Sequence, residues 1–312
     1  MSEVTDVWID TDTAIGVPGA DVDDGLALVQ AFHSPELAVR GVSSVFGNAP
    51  LAKTHPIAGE VVSRFGPRDL TVARGAAGAE ALGEPSEAVD AMAAALRERP
   101  LHVIALGPVT NVASLLALHP DLAARIRSIV MVAARRPGQS FLSHPSQPAA
   151  FPDLNFDCDP PAMQALPDAS PRLVFAPWEV SSHVWLEAGA LERLARASEC
   201  GAWIAEHARP WLALWRDELL APGFNPFDTL AIAALTHPGW LERFRCRVWI
   251  DDGPNDTAPP DEQAAGATKP HLLVEPVPDA AKADGDRLAE YCHRPADAFK
   301  PMLLERLAAP AT

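Results

Sequence analysis

Residues 7–29, VWIDTDTAIGVPGADVDDGLALV, place five carboxylates between an apolar run typical of a strand and an apolar run typical of a helix. The five are Asp10, Asp12, Asp21, Asp23 and Asp24. Like charges this close together repel each other and are costly to bury. The stretch is therefore either a solvated acidic loop or a site that holds something positively charged.

The sequence around this stretch alternates apolar runs with amphipathic segments of helix length. DVWI, LAVRGVSSVF, LTVA, LHVIAL, SIVMVA and RLVFAP have the apolar character of strands, and SEAVDAMAAALRER is typical of a helix between two of them. Strands that are apolar on both sides belong to a parallel sheet covered by helices. We therefore predict an α/β fold with an open, mostly parallel, Rossmann-like sheet and helices on both faces. Without an internal repeat or a clear linker, residues 1–312 are expected to form a single domain.

Three later segments are less regular. Residues 134–152 are rich in Pro, Ser and Gln without periodicity, which predicts a long loop of the kind that often covers or binds a ligand. Residues 199–235 predict helices broken at Pro210 and Pro222, and residues 251–270 predict a second aperiodic loop. Trp211 and Trp215 are four residues apart, and this spacing favours a buried helix face over the wall of a base pocket.

Composition limits the classes of partner. A formal net charge of −16 without clustered Lys and Arg argues against nucleic-acid binding, so small ligands and cations are the expected partners. No leader-like segment or run of about 18 apolar residues is found, which predicts a cytoplasmic protein that does not enter membranes. The four cysteines are far apart with no CxxC pair, which favours reduced thiols, and the ten histidines form no metal-binding pattern.

The acidic stretch can be placed on the predicted fold. Asp10 and Asp12 end the first strand, and the Asp23-Asp24 pair opens the helix that follows. The carboxylates should therefore meet at the carboxyl edge of the sheet, where open α/β sheets bind ligands. The helix dipole or helix capping accounts for one or two of them. For five, a hard divalent cation with oxygen ligands is the simplest explanation.

VWIDTDTA is compatible with two families. It fits the hhhhDxDxT opening of the haloacid-dehalogenase-like phosphatases, in which Asp10 would be the nucleophile beside a magnesium ion. Such a phosphatase also has a late acidic pair after a strand. The segment KADGDRLAE, residues 282–290, is the one candidate for that pair, and no apolar strand precedes it.

The second family accounts for motifs along nearly the whole chain. The opening resembles the DxDxGxDD signature of the inosine-uridine-type nucleoside hydrolases, with Asp10, Asp12, Gly19, Asp23 and Asp24 as its parts. Four further segments are similar to motifs of that family in the same order. They are VSSVFGNAPL with Asn48, ALGPVTNVASLL with Thr110 and Asn111, FPDLNFDCDPPA with Asp153, Asn155 and Asp159, and NPFDTLAIAAL with Asp228.

The resemblance implies a calcium-dependent hydrolase that cleaves ribonucleosides into a free base and ribose, with a role in purine salvage. It implies that Ca²⁺ is held by Asp12, Asp24, the main-chain carbonyl of Thr110 and Asp228, and that Asp12 is the catalytic base. By the same resemblance the substrate-binding residues are Asp23, Asn48, Asn155 and Asp228 at the 2′- and 3′-hydroxyls, with Asp153 and Gln147 toward the 5′-hydroxyl. A homodimer or homotetramer is also implied. Taken alone, the two asparagines could be turn residues, and Thr110 and Asp228 could be helix caps.

The chain departs from the family pattern at several positions. Ten residues, TAIGVPGADV, separate Asp12 from Asp23, a longer spacer than the family has, and this leaves the role of Asp21 open. Asp153 stands in place of a Glu. Arg74 and Phe227 stand where many relatives have His, so no general acid for the departing base is evident. If Phe227 stacks on the base instead of packing in the core, purine ribosides are the favoured substrates. A catalytically silent nucleoside- or ribose-binding protein remains the alternative from another functional class.

Overall fold

The strands that are apolar on both faces form the middle of one large sheet. The computed structural model describes residues 4–144, 147–166, 171–278 and 287–310. In these residues the strands are β1 (Thr5–Thr11), β2 (Leu37–Ser44), β3 (Val72–Arg74), β4 (Leu101–Ala105), β5 (Ile126–Met131), β6 (Arg172–Phe175), β7 (Leu241–Pro254), β8 (Thr268–Pro276) and β9 (Arg287–Pro295). The six strands predicted from the sequence correspond to β1–β6.

Helices cover both faces of this sheet. They are α1 (Asp23–Phe32), α2 (Leu51–Phe65), α3 (Glu87–Glu98), α4 (Thr110–Leu118), α5 (Leu154–Cys158), α6 (Pro160–Ala165), α7 (Trp178–Ser181), α8 (Ala188–Ala197), α9 (Glu199–Asp217), α10 (Thr229–Thr236), α11 (Pro260–Ala264) and α12 (Phe299–Ala308). Successive side chains of β1 point to opposite faces, so Val7 and Ile9 join one hydrophobic cluster and Trp8 joins the other. Both faces are therefore buried, as predicted for a parallel sheet.

The strand order places the carboxyl ends of β1 and β4 side by side within the sheet. The order is β3-β2-β1-β4-β5-β6-β9-β7-β8, and the pairs from β3 through β6 to β9 are all parallel. After β1 the chain adds β2 and β3 on one side of the sheet, and after β4 it adds β5 and β6 on the other side. A crevice forms at such a reversal, outside the carboxyl ends of the strands. The open, mostly parallel α/β prediction is confirmed, whereas the single-domain organisation stays a prediction.

The last part of the sheet is antiparallel and was not predicted. β7 pairs in the antiparallel sense with both β8 and β9. The predicted loop at residues 251–270 is wrong at both ends, because residues 251–254 finish β7 and residues 268–270 begin β8, with α11 between them. These end residues are mostly exposed and polar. Their strand conformation comes from long-range pairing and leaves no hydrophobic period in the sequence.

The predicted break at Pro210 is also wrong. Helix α9 continues through Pro210 as far as Asp217. A proline ring removes one backbone hydrogen bond, normally to the carbonyl four residues earlier, here that of Glu206. Pro210 and Glu206 are both exposed, so water can bond the freed carbonyl while the buried face of the helix packs normally. The second predicted break is confirmed, because Pro222 lies between α9 and α10.

The predicted loop at residues 134–152 has no helix or strand in its described residues, 134–144 and 147–152. Its second end is held by backbone hydrogen bonds from Phe151 N–H to the Phe141 carbonyl, 2.8 Å, and from Ala150 N–H to the Asp256 carbonyl, 2.8 Å. All four cysteines are free. No helix in the described part of the chain combines the length and apolar character needed to cross a bilayer. Asp284 and Asp286, the acidic candidates for a phosphatase, lie outside the described residues.

Candidate active site

Three carboxylates from distant parts of the sequence meet at the carboxyl edge of the sheet. Oxygens of Asp23, Asp24 and Asp228 all lie within 4.8 Å of one another, and all three residues are buried. Asp23 and Asp24 begin α1, while Asp228 immediately precedes α10. The Asp228 N–H donates to Asp23 Oδ2 at 3.1 Å, which ties the two helix starts together. The structure therefore confirms the convergence of acidic groups at this edge.

Asp24 is held by three donors. Its Oδ1 accepts from Thr11 Oγ1 at 2.5 Å and from the Asp12 N–H at 3.1 Å, and its Oδ2 accepts from Asn48 Nδ2 at 3.0 Å. These donors come from the ends of β1 and β2. The carboxylate orientation is thus set by residues at and just after the ends of β1 and β2.

Asp12 is fully buried next to the crevice, between two glycines. Its Oδ2 accepts from the Asn48 N–H at 2.6 Å, and its Oδ1 has no partner among the described residues. A Cβ on Gly47 would lie 2.0 Å from Asp12 Oδ2, and a Cβ on Gly107 would lie 2.9 Å from Asp12 Cγ. Gly47 also has a φ of +150°. Only glycine allows the ends of β2 and β4 to approach this carboxylate so closely.

Burial and mutual repulsion hold the pKa of Asp12, Asp23 and Asp228 well above the usual range of a carboxyl. For each of these residues burial is the largest cause, followed by a neighbouring carboxylate. Asp12 Oδ1 and Asp228 Oδ2 are buried oxygens without a hydrogen-bond partner in the described chain. A cation among them would offset the repulsion and use the free oxygens. A set of ligands made only of oxygen atoms fits a hard cation such as Ca²⁺ or Mg²⁺.

Asp10 also has one buried oxygen without a partner, Oδ2, but its other oxygen is held by two donors. Its Oδ1 accepts from Ser43 Oγ at 2.5 Å and from Asn111 Nδ2 at 2.8 Å. Asn111 also donates to the Ser44 carbonyl at 3.1 Å and accepts from the Ala76 N–H at 2.8 Å. Asp10 is fully buried, and burial raises its pKa to about 7. This network cross-links β1, β2 and α4 beneath the site, a poor position for the nucleophile of a phosphatase.

A cavity of about 330 Å³ opens beside the acidic group, a volume typical of small-molecule sites. Its polar wall residues are Asp21, Asp23, Asn48, Asp153, Asn155 and Asp228. Its aromatic wall residues are Phe141, Phe151, Trp178, Trp211, Trp215 and Phe227. Among the described residues lining it, the ionisable ones are all aspartates. The cavity can therefore bind a ligand with a hydroxylated part and a flat apolar part.

The aromatic residues contact one another in pairs. Phe151 stacks on Trp215 with centroids 5.3 Å apart, and Trp215 lies 6.1 Å from Phe227. Phe141 stacks on Trp178 at 5.1 Å. Trp215 is buried in the core and Trp211 packs against it, as their spacing favoured, and both also line the cavity. Their helical spacing placed them correctly on one face of α9, and only the tertiary structure shows that this face borders a cavity.

Two further predicted residues lie on the cavity wall. Asp153 Oδ2 accepts from the Ala134 N–H at 2.8 Å, and Ala134 has a left-handed φ of 80° that is unusual for a residue other than glycine. Asn155 donates through Nδ2 to the carbonyls of Leu106 and Val132. These carbonyls follow β4 and β5, so the bonds anchor Asn155 at the edge of the sheet and leave its Oδ1 unused.

Thr110, Gln147 and Arg74 are also not on the wall. Thr110 begins α4 and donates through Oγ1 to Asp159 Oδ2 at 2.5 Å, so a ligand role for its main-chain carbonyl stays a prediction. Gln147 bonds within its own loop, accepting from Ser143 Oγ at 3.0 Å and donating to the Ala149 carbonyl at 2.7 Å. Arg74 is exposed at the end of β3. In this arrangement neither Gln147 nor Arg74 reaches the cavity.

The structure adds wall residues to which the sequence assigned no role. Asp21 comes from the long spacer before α1, and its Oδ1 accepts from the N–H groups of Val22 at 2.6 Å and Asp23 at 3.3 Å. Phe141 and Phe151 come from the loop at residues 134–152. The sequence signal that could have identified these two residues was the presence of aromatic side chains in an aperiodic loop.

Comparisons with known proteins agree with this geometry. The family model for inosine-uridine preferring nucleoside hydrolases matches residues 7–269. The pyrimidine-specific ribonucleoside hydrolase RihA of Klebsiella pneumoniae is 31% identical over 246 residues, which cover 69% of this chain and 76% of that protein. The Salmonella agona protein of the same name is 34% identical over 199 residues, covering 55% of this chain and 61% of its own length, less than two thirds.

Solved structures share the fold. A plant nucleoside hydrolase superposes with a TM-score of 0.78 at 21% identity, covering 98% of this chain and 99% of that one. A purine-preferring ribonucleoside hydrolase from Gardnerella vaginalis gives 0.77 at 17% identity, with coverage of 97% and 98%. At such identities the likeness shows the fold alone. With the family model spanning most of the chain and the acidic motifs meeting at one edge of the sheet, this chain belongs to the inosine-uridine preferring nucleoside hydrolase family.

Proposed function

We propose that this protein hydrolyses the N-glycosidic bond of ribonucleosides to a free base and ribose, depends on Ca²⁺ and favours purine ribosides. One observation carries the proposal: a buried group of carboxylates opens onto a cavity whose remaining wall is aromatic. Family membership supports the reaction. The choice of ion and of base rests on the residues of this chain.

Cleavage of an N-ribosidic bond passes through a ribosyl group with oxocarbenium character, as in glycoside hydrolysis. Carboxylates beside the sugar stabilise that developing positive charge, and a buried site makes the effect stronger. Asp23 and Asp228 lie on the cavity wall, with Asp12 and Asp24 directly behind it. The negative charge is thus concentrated where a bound ribose would lie.

Asp12 is the proposed catalytic base. It accepts a proton from the attacking water through Oδ1, the oxygen without a hydrogen-bond partner in the described chain. Its other oxygen is held by the Asn48 N–H, and Gly47 and Gly107 hold the carboxylate from two sides. A base fixed in this way needs little rearrangement to take the proton.

The proposed ligands of the cation are Asp12, Asp24, Asp228 and the Thr110 carbonyl. An oxygen of Asp23 also lies close to those of Asp24 and Asp228. When bound, Ca²⁺ supplies positive charge that lowers the pKa of water and attracts the hydroxyl oxygens of the ribose. The partnerless oxygens of Asp12 and Asp228 support this role.

The polar wall residues are proposed to recognise the ribose. Asp23, Asn48, Asn155 and Asp228 would bind the 2′- and 3′-hydroxyls, and Asp153 would bind the 5′-hydroxyl. Gln147 can join Asp153 only if it gives up its bonds within the loop. Because each hydroxyl has a buried polar partner, 2′-deoxyribonucleosides should be poor substrates.

Departure of the base is proposed to depend on aromatic stacking. None of the described residues lining the cavity is a His, Lys, Tyr or Cys that could act as a general acid. Phe227 lies next to Asp228 and contacts Trp215, which places an aromatic ring beside the sugar site. A large purine ring gains more from such contacts than a pyrimidine. Pyrimidine ribosides are the second candidate, since the relatives at 31–34% identity are named pyrimidine-specific.

Base release separates these possibilities. The purified protein should release base from inosine faster than from uridine, and a chelator should abolish both reactions. Faster release from uridine would overturn the purine preference while leaving the hydrolase intact. Release of phosphate from nitrophenyl phosphate would favour the phosphatase, and nucleoside binding without turnover would favour the silent binding protein. The homodimer or homotetramer and the cytoplasmic location stay predictions.

A further inference from the structure

An ion pair between the buried Arg135 and the partly exposed Asp256 lies behind the aromatic wall of the cavity. Arg135 is 3% exposed, and its Nη1 lies 2.7 Å from Asp256 Oδ2. Its Nε and Nη2 have no partner among the described residues. An ion pair with one buried partner contributes little net stability, and unpaired buried donors are costly. A role in holding a particular arrangement explains the pair better than a role in stability.

The guanidinium extends the aromatic wall by one layer. Arg135 Cζ lies 4.3 Å from the centroid of the Phe141 ring. The Phe141 ring in turn stacks on Trp178. A planar cation over an aromatic face is attracted to it, more strongly where water is excluded. Arg135, Phe141 and Trp178 therefore form one stack, in which Phe141 and Trp178 line the cavity.

The backbone around Arg135 reaches the polar wall as well. The Arg135 N–H donates to the Leu272 carbonyl at 3.0 Å, and its own carbonyl accepts from the Val274 N–H at 2.9 Å, so the residue is bonded to β8 on both sides. The preceding Ala134 N–H is the donor that holds Asp153. Asp256 also accepts the Ala150 N–H through its main-chain carbonyl. One pair of residues thus secures both ends of the 134–152 loop.

We propose that Arg135 is a positioning residue, which through its pairing with Asp256 holds Phe141 and Asp153 at the cavity wall. The inference rests on the proposed function, in which Asp153 binds the ribose 5′-hydroxyl. The positive charge of Arg135 also acts on Asp153, where it lowers the pKa against the larger effect of burial. Loss of Arg135 should therefore weaken the hold on the 5′ end of the substrate and affect the other contacts less.

The test compares Arg135→Met, Arg135→Lys and Asp256→Asn with wild type, by crystal structure and by steady-state kinetics on inosine and 5′-deoxyinosine. Arg247→Met is the matched control. Arg247 also pairs with an acid, Glu275, at 2.6 Å and lies 4.7 Å over an aromatic ring, that of Trp249, but on the exposed face of β7.

Arg135→Met should raise KM for inosine by about tenfold to a hundredfold with a smaller change in kcat, and change KM for 5′-deoxyinosine by less than about threefold. Lysine keeps the charge but not the planar stack, so Arg135→Lys should recover part of the loss. Asp256→Asn should resemble a milder Arg135→Met, and Arg247→Met should match wild type. In the crystals, Phe141 should leave Trp178 and the Ala134–Asp153 bond should break in Arg135→Met.

Unchanged positions of Phe141 and Asp153 in Arg135→Met overturn the proposal, and so do equal losses on the two substrates. If Arg135→Met fails to fold, the same readouts on Arg135→Lys and Asp256→Asn decide. Wild-type protein that releases no base from either inosine or uridine would refute the proposed function instead, and the crystal structures would then decide the positioning role alone.

Discussion

Substitution of Gly47 by alanine tests the arrangement around the proposed base. The new Cβ would lie 2.0 Å from Asp12 Oδ2 and 2.9 Å from Pro108 Cδ, whereas ordinary contacts begin at 3.4 Å. Either the carboxylate or the end of β2 must move by more than an ångström. A misplacement of roughly 1 Å can cost about a hundredfold in rate, or ~2.7 kcal/mol of transition-state stabilisation. The φ of +150° adds strain of about 1–3 kcal/mol to the folded state.

Gly83→Ala is the matched control for backbone strain. Gly83 has a φ of +81°, and its Cβ would meet nothing within 4 Å. Both variants should lose free energy of unfolding in urea titrations, because both force alanine into a left-handed conformation. Only Gly47→Ala should lose kcat in a ribose-release assay with inosine. A folded Gly47→Ala that keeps kcat within about threefold of wild type would show that Asp12 need not hold its position, and the reasoning would fail.

Three further outcomes are expected. Asp12→Asn should fold and lose about 10²–10⁴ in kcat, the usual range for a general base. If Asp10→Asn instead abolishes turnover through loss of a covalent intermediate while Asp12→Asn has a mild effect, the phosphatase interpretation is favoured. Elemental analysis of dialysed protein should find one calcium ion per chain, and full activity in chelator without any divalent metal would contradict it. Phe227→Ala should lower kcat on inosine more than on a nitrophenyl riboside, whose activated leaving group needs no help; equal losses would mean that Phe227 only packs the site.

The sequence by itself determined the elements whose signal is local. Six parallel strands could be predicted because residues such as Val7, Trp8 and Ile9 are apolar on both faces of β1. The acidic pair at the start of α1 could be placed at the carboxyl edge because a strand end and a helix start are only a few residues apart. Motif order then brought Asn48, Asp153, Asn155 and Asp228 into one proposed site, and the structure places all four on the cavity wall.

The tertiary structure alone decided the features that depend on long-range contacts. Residues 251–254 become strand because β8 pairs with them, and α9 passes Pro210 because its other face is buried. Trp211 and Trp215 line a cavity because the loop at residues 134–152 folds opposite them. Gln147 stays away from that cavity because its own loop satisfies its amide. Periodicity records which face of an element is apolar, but it does not record which partner covers that face, since the partner lies far away in the sequence.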